Sequence, residues 1–151
     1  SCQVYGGATA EYPATNAAVA ATAGEVLTYA GSPAFTQFSA SNGGWSVAGP
    51  ASQPYLVSQE DPFDHYDPDR VGGDGWQRSV TSAAIEQAYH LENLVKIAVE
   101  TRDGNGRWGG RVVTVRLTSS TGWTGTVSGD SFRRSLGLPS TYATISGVAT
   151  R

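Results

Sequence analysis

The sequence predicts an α+β fold in a single domain: a twisted, mostly antiparallel sheet, a buried alanine-rich helix and two short helices. Three observations point there. Nineteen Gly and seven Pro in 151 residues make a turn-rich chain, which argues against a helical bundle. Val95, Ile97, Val99 and Thr101 alternate with Lys96, Glu100 and Arg102, and Val113, Val115 and Leu117 repeat the pattern after Asp103-Gly104-Asn105-Gly106, as the strands of a half-buried hairpin do. Between residues 16 and 30, Val19, Ala23, Val26, Leu27 and Ala30 share one helical face, with Thr15 or Asn16 as cap and Gly31 as stop.

In chain order, Gln3 to Tyr5 reads as a short strand running into Gly6-Gly7. The 16–30 helix follows, and its alanines and Gly24 suit close approach of another element, so it is expected to be buried. Residues 34–41 read as a strand ending in Asn42-Gly43-Gly44, a turn that displays Trp45. From 50 to 75 the Pro, Asp and Gly content predicts a loop, with a short strand at PYLVS (54–58). Thr81 or Ser82 caps a helix ending near Tyr89. After the 94–102 and 111–118 hairpin come a strand at 125–128, a helix from Asp130 to Leu136 stopped by Gly137 and Pro139, and a last strand near 142–147.

A net charge of −3, with Lys96 the one lysine of the chain, gives no basic patch for nucleic acid. The charges are uneven: residues 1–75 hold eight acids and Arg70 alone, residues 76–151 nine bases and five acids. At 39% apolar and 15% charged the chain has enough core-formers to fold and is too interrupted for a membrane span. It contains no methionine, so it is expected to be a processed, cleaved or engineered piece of something longer. Cys2, the one cysteine, either lost a disulfide or ligand partner or is an unpaired thiol.

The densest set of ligand types is Glu60, Asp61, Asp64, His65, Asp67 and Asp69. Calcium or a transition metal would use such groups, but Pro62 and Pro68 break the register, and a solvated loop with Asp-Pro turns fits better. Asp103-Gly104-Asn105-Gly106 is a hairpin turn rather than a calcium loop, since no Glu closes it. His65 and His90 stand in no nucleophile-elbow pattern, and no phosphate-cradling glycine run precedes Lys-Ser or Lys-Thr. Polysaccharide chemistry suits the composition better. Four Trp and seven Tyr supply platforms for sugar faces, and the 39–46 run supplies short polar side chains. Ser39, Ser41, Asn42, Gly43, Gly44, Trp45 and Tyr55 are the candidate substrate-binding residues. Glu11 is the acid best placed for catalysis, where partial burial would raise its pKa; the bland alternative is an exposed acid beside a helix N-terminus.

CQVYGG (2–7), Glu11, Thr15, Ala18, Val19, Thr22 and Gly24 at their spacing, LTYAG (27–31), SASNGG (39–44), PYL (54–56), DGNGRWGGR (103–111) and VSGDSFRRSLGL (127–138) together resemble the SpoIID/LytB domain family, stage II sporulation protein D-like, of the actinobacterial type. The likeness covers nearly the whole chain. It implies a secreted or cell-wall location and action on peptidoglycan glycan strands by a lytic transglycosylase, which leaves a 1,6-anhydro product and can work with one Glu as acid and then base. The alternative it implies is a non-catalytic peptidoglycan-binding or amidase-modulating module, partnered by its own upstream segment or a cell-wall amidase. The family's Glu-Met-Pro and Ala-Arg-Thr-Tyr elements do not occur in this sequence. The chain is therefore expected to be the C-terminal portion, 1–151, lacking the catalytic segment. Where family members have Phe-His-Ser-x-Cys-Gly-Gly, able to help hold zinc, residues 38–44 read Phe-Ser-Ala-Ser-Asn-Gly-Gly, so neither metal nor cofactor is expected.

Overall fold

Pro13 opens the first helix, α1 (Pro13–Ala21), where a missing N–H costs nothing because helix N-terminal donors have no partner in the helix. A computed structural model describes residues 6–39, 41–64 and 75–147. Its architecture is α+β, in two compact units, residues 1–37 and 38–151.

In the first unit α1 is shorter than the 16–30 helix expected. Thr22 closes it, with its hydroxyl donating to the Ala18 carbonyl at 3.0 Å, and Gly24 then takes φ +81°. The chain turns into a small hairpin, β1 (Thr28–Tyr29) and β2 (Ser32–Pro33), around Ala30 and Gly31, both at positive φ as a type I′ turn requires. Every residue of α1 is exposed, so the expected burial of the alanine-rich helix is not found. Val26 and Leu27, which would complete its apolar face, lie beyond the helix end.

The second unit follows the predicted order closely. Thr81 caps α2 (Ser82–Tyr89), its hydroxyl accepting from the Ala84 N–H at 3.2 Å. A three-stranded antiparallel sheet follows, β3 (Leu94–Arg102), β4 (Val112–Ser119) and β5 (Thr124–Ser128), with β4 central. Ser128 then caps α3 (Gly129–Ser135) through the Ser131 N–H at 3.1 Å. Ile85 of α2 and Phe132 of α3 join Leu91, Leu94, Val112, Val115 and Leu117 in the core, and the Tyr89 ring stacks on Phe132 with centroids 6.3 Å apart. These two short helices supply the cover that α1 was expected to give.

Strict alternation fails at two places along β3. The Ile97↔Leu117 and Val99↔Val115 pairs face the core, and Val115 and Leu117 are fully buried. Register shifts between Leu94 and Lys96 and between Val99 and Thr101 each insert an extra residue into β3, and a third between Thr101 and Arg102 inserts Val113 into β4. Each bulge turns the pleat over. Leu94 and Val112 therefore become the core residues, while Val95 (52%) and Val113 (46%) stay exposed. The expected strand at 34–41 is absent among the described residues, and so is that at 142–147. The latter segment is held without a ladder: the Val112 N–H donates to the Thr141 carbonyl at 2.9 Å, and Arg102 Nη2 to the Ala143 carbonyl at 2.9 Å. The strand read at Gln3 to Tyr5 lies outside the described residues.

Candidate functional site

Residues 45–60 double back on themselves. Trp45 bridges Glu60, the Ser46 N–H donates to the Gln59 carbonyl at 2.9 Å, and the Gly49 N–H to the Leu56 carbonyl at 2.8 Å. The Trp45 indole N–H donates to Ser58 Oγ at 3.0 Å, which fixes the ring. PYLVS thus pairs locally without becoming a regular strand. Tyr55 stands at the Gly49–Leu56 end of this loop, away from the Trp45–Glu60 end.

Just before it, Ser41 to Gly44 wrap a carboxylate. Asp64 Oδ2 accepts from the Ser41 hydroxyl at 2.8 Å and from the N–H groups of Asn42 (2.6 Å) and Gly43 (2.9 Å). Asn42 Nδ2 donates to Asp61 Oδ2 at 2.8 Å, and Asn42 Oδ1 accepts from the Gly44 N–H at 2.8 Å. Successive N–H groups converging on an anion form a nest, and here the anion is the protein's own. Partial burial pushes the Asp64 carboxyl up, but donors from Ser41, Asn42, Gly43 and Gly44 outweigh it and hold the group below the usual carboxylate range. Gly43 has φ +75°, and a Cβ there would meet the Tyr142 ring at 3.1 Å, so both backbone and space call for glycine.

Arg111 closes the arrangement. Its Nη2 donates to the carbonyls of Asn42 (2.5 Å) and Trp45 (2.9 Å), and its guanidinium lies 5.3 Å from the Tyr142 ring centroid. Trp108 packs against the same ring, centroids 5.7 Å apart. Arg111 itself is placed by the loop after β3, where Asp103 Oδ1 accepts from the N–H groups of Asn105 (3.1 Å) and Arg111 (2.9 Å).

Of the candidate substrate-binding residues, Ser41, Asn42, Gly43, Gly44 and Trp45 are therefore brought together, whereas Ser39 is exposed beside them in the chain and Tyr55 is elsewhere on the loop. Ser41 and Asn42 were expected to offer hydrogen bonds to sugar hydroxyls; the structure commits those donors to Asp61 and Asp64. Sequence reasoning missed Arg111, Trp108 and Tyr142 as parts of this cluster. The DGNGRWGGR motif, which contains the first two, was the available signal.

Glu11 is exposed and accepts from Asn16 Nδ2 at 2.9 Å, so the partial burial expected of a raised-pKa acid is not found. Cys2, Ala40, His65, Asp67 and Asp69 lie outside the described residues. Among the described residues no three His, Cys, Asp or Glu side chains are grouped to hold a metal. A cavity of about 750 Å3 opens between the sheet's inner face and the helices, lined among others by Trp76, Ile85, Ile97, Phe132 and Tyr142, and no Asp or Glu is among its described lining residues. Its described lining offers apolar surface and no carboxyl group. No helix among the described residues is long and apolar enough to cross a membrane. Comparison of the chain with protein-family models, curated proteins and solved structures returns no match.

Proposed function

We propose that this chain is the glycan-contacting part of a peptidoglycan-acting, SpoIID-like protein, a cell-wall lytic transglycosylase in its intact form, secreted or held at the wall. The observation that carries the reading is the pair of hydrogen bonds from Arg111 to the carbonyls of Asn42 and Trp45. Two sequence motifs that are separately part of the resemblance, SASNGG and DGNGRWGGR, meet in space there with two tryptophans and a tyrosine. Such a cluster suits sugar recognition, because aromatic faces cover the apolar face of a pyranose ring while backbone groups and short polar side chains meet its hydroxyls.

A second reading, a non-catalytic peptidoglycan-binding or amidase-modulating module, draws on the state of the nearby acids. Asp64 is locked as an acceptor with its pKa lowered, the reverse of what a general acid needs. Asp61 accepts from Asn42 and from the Phe63 N–H.

Co-sedimentation with stem-stripped glycan strands, followed by mass spectrometry for anhydro-muropeptides, tests both. The chain should bind, and Arg111→Ala should weaken that binding. Absence of binding would overturn the transglycosylase and the peptidoglycan-binding module, leaving amidase modulation alone. Anhydro product from an upstream-extended version supports the transglycosylase, and binding without product from either version supports the module.

A further inference from the structure

β3 is an edge strand: β4 takes one side, and no described strand takes the other. Its nine residues leave a row of backbone donors and acceptors facing outward, a template for another strand. Ile97 and Val99 sit on its core-facing side only partly buried, so a strand added at this edge would finish covering them. On the opposite face, Lys96 lies in the register of Thr118 and Ala98 in that of Arg116, and Glu100 is bound by Arg116 and by Thr126 Oγ1 (2.8 Å), which fixes it on that face.

From the first bulge into the second the strand reads Lys96-Ile97-Ala98-Val99-Glu100, with Glu100 the extra residue of the second bulge, held on the outer face by Arg116 and Thr126; the chemical character of this run is the same from either end with the charges inverted. An edge lysine ordinarily blocks pairing, because it meets apolar side chains or another cation. Here a glutamate four residues on answers it. If two copies of this strand pair antiparallel about a two-fold axis at Ala98, Lys96 of each stands across from Glu100 of the other, Ile97 across from Val99, and Ala98 across from itself. All side chains keep their faces: the aliphatic pairs extend the core-facing side and the ion pairs lie on the outer side. The charge pattern would not be met twice by an arbitrary peptide. We propose that the partner of the β3 edge is a second copy of this chain, joined through antiparallel β3–β3 pairing centred on Ala98.

Such an interface is small, so the dimer is weak and fast-exchanging, seen at high micromolar concentration. The inference is independent of the glycan reading, and its test uses no glycan.

The test rests on Lys96 being the one lysine of the chain. Within one chain Lys96 and Glu100 stand about 13 Å apart along a strand, too far for a zero-length bond. A carbodiimide amide between them therefore joins two copies. Sedimentation equilibrium of the 151-residue chain from about 10 μM to about 1 mM should show monomer–dimer exchange. Carbodiimide treatment should give a covalent dimer whose digest contains Lys96 joined to Glu100. Lys96→Glu, at an exposed position that leaves the monomer's thermal unfolding unchanged, should weaken dimerisation by about tenfold or more by placing glutamates opposite each other. Lys96→Gln should fall between. A monomer across the whole range, a dimer indifferent to Lys96→Glu, or Lys96 joined mainly to another carboxylate would each overturn the proposal.

Discussion

Arg111 Nη2 lies 2.9 Å from the carbonyl oxygen of Trp45, a hydrogen bond that ties the start of β4 to a loop far earlier in the chain. The same nitrogen reaches Asn42, and the guanidinium carbon lies over the Tyr142 ring. One planar cation thus holds the turn and the aromatic beside it. Its Nη1 is buried without a hydrogen-bond partner among the described residues, so the ring face of Tyr142 is what compensates that side of the charge.

Arg111→Ala should lower stability by about 1–3 kcal/mol, since two carbonyls lose a charged donor. Arg111→Lys should recover part of this, because a lysine keeps the charge but not the planar stacking. Urea unfolding measures the loss. Hydrogen exchange should show it concentrated at residues 41–49, and an effect spread evenly over β3 to β5 would contradict the anchoring role.

The bulged register of β3 and β4 makes a contrast that alternation alone would not. Leu117→Ala should cost about 2–5 kcal/mol, as expected for emptying a fully buried site. Val113→Ala, on a strand position that simple alternation places with Val115 and Leu117, should cost no more than about 0.5 kcal/mol because it is exposed. Comparable losses from the two would mean that the bulges are misplaced.

Where local signals are strong, sequence and structure agree. Thr81 before an apolar period gives α2, the Asp103–Gly106 turn between two alternating runs gives β3 and β4, and the run from Asp130 to Leu136 ahead of Gly137 and Pro139 gives α3. What could not be read locally is of two kinds. The apolar face assigned to residues 16–30 crosses Gly24, and there the backbone's freedom to take positive φ outweighs the pattern. In the SASNGG run, Ser41 and Asn42 look like outward donors because nothing in their neighbourhood accepts from them. Their acceptors, Asp61 and Asp64, come back only through a loop closed by the Trp45–Glu60 bridge. The motif was legible as a glycine turn, while its self-satisfied chemistry was not.

Gly110 should resist any side chain. It holds φ +90°, and a Cβ there would come within 1.8 Å of Asp103 Oδ1, the atom that accepts from the Arg111 N–H. Gly110→Ala must strain the backbone and break that turn, a loss of about 2 kcal/mol or more. Gly104→Ala shares the positive φ but meets no atom within 4 Å, so about 1 kcal/mol covers it. Paired thermal melts decide, and equal losses would remove the steric part of the account.

The Asp64 nest sets the direction of an acid effect. Its folded carboxyl titrates below the ordinary value, so the unfolded chain takes up a proton first as pH falls. The stabilisation is therefore complete above the unfolded value of about 3.9 and drains away as pH drops through the lower, folded one. At neutral pH the latch should be intact. Protonation then gives Oδ2 a hydrogen where three donors already point, and the Ser41–Gly44 turn opens. Amide resonances of Asn42 and Gly43 should follow this acid titration while those of β4 do not. Asp64→Asn, which keeps the shape but not the charge, should abolish the titration and destabilise by about 1–3 kcal/mol at neutral pH. Amide shifts at Asn42 and Gly43 that titrate unchanged in Asp64→Asn would assign the effect to another acid, with Asp61 the next to replace.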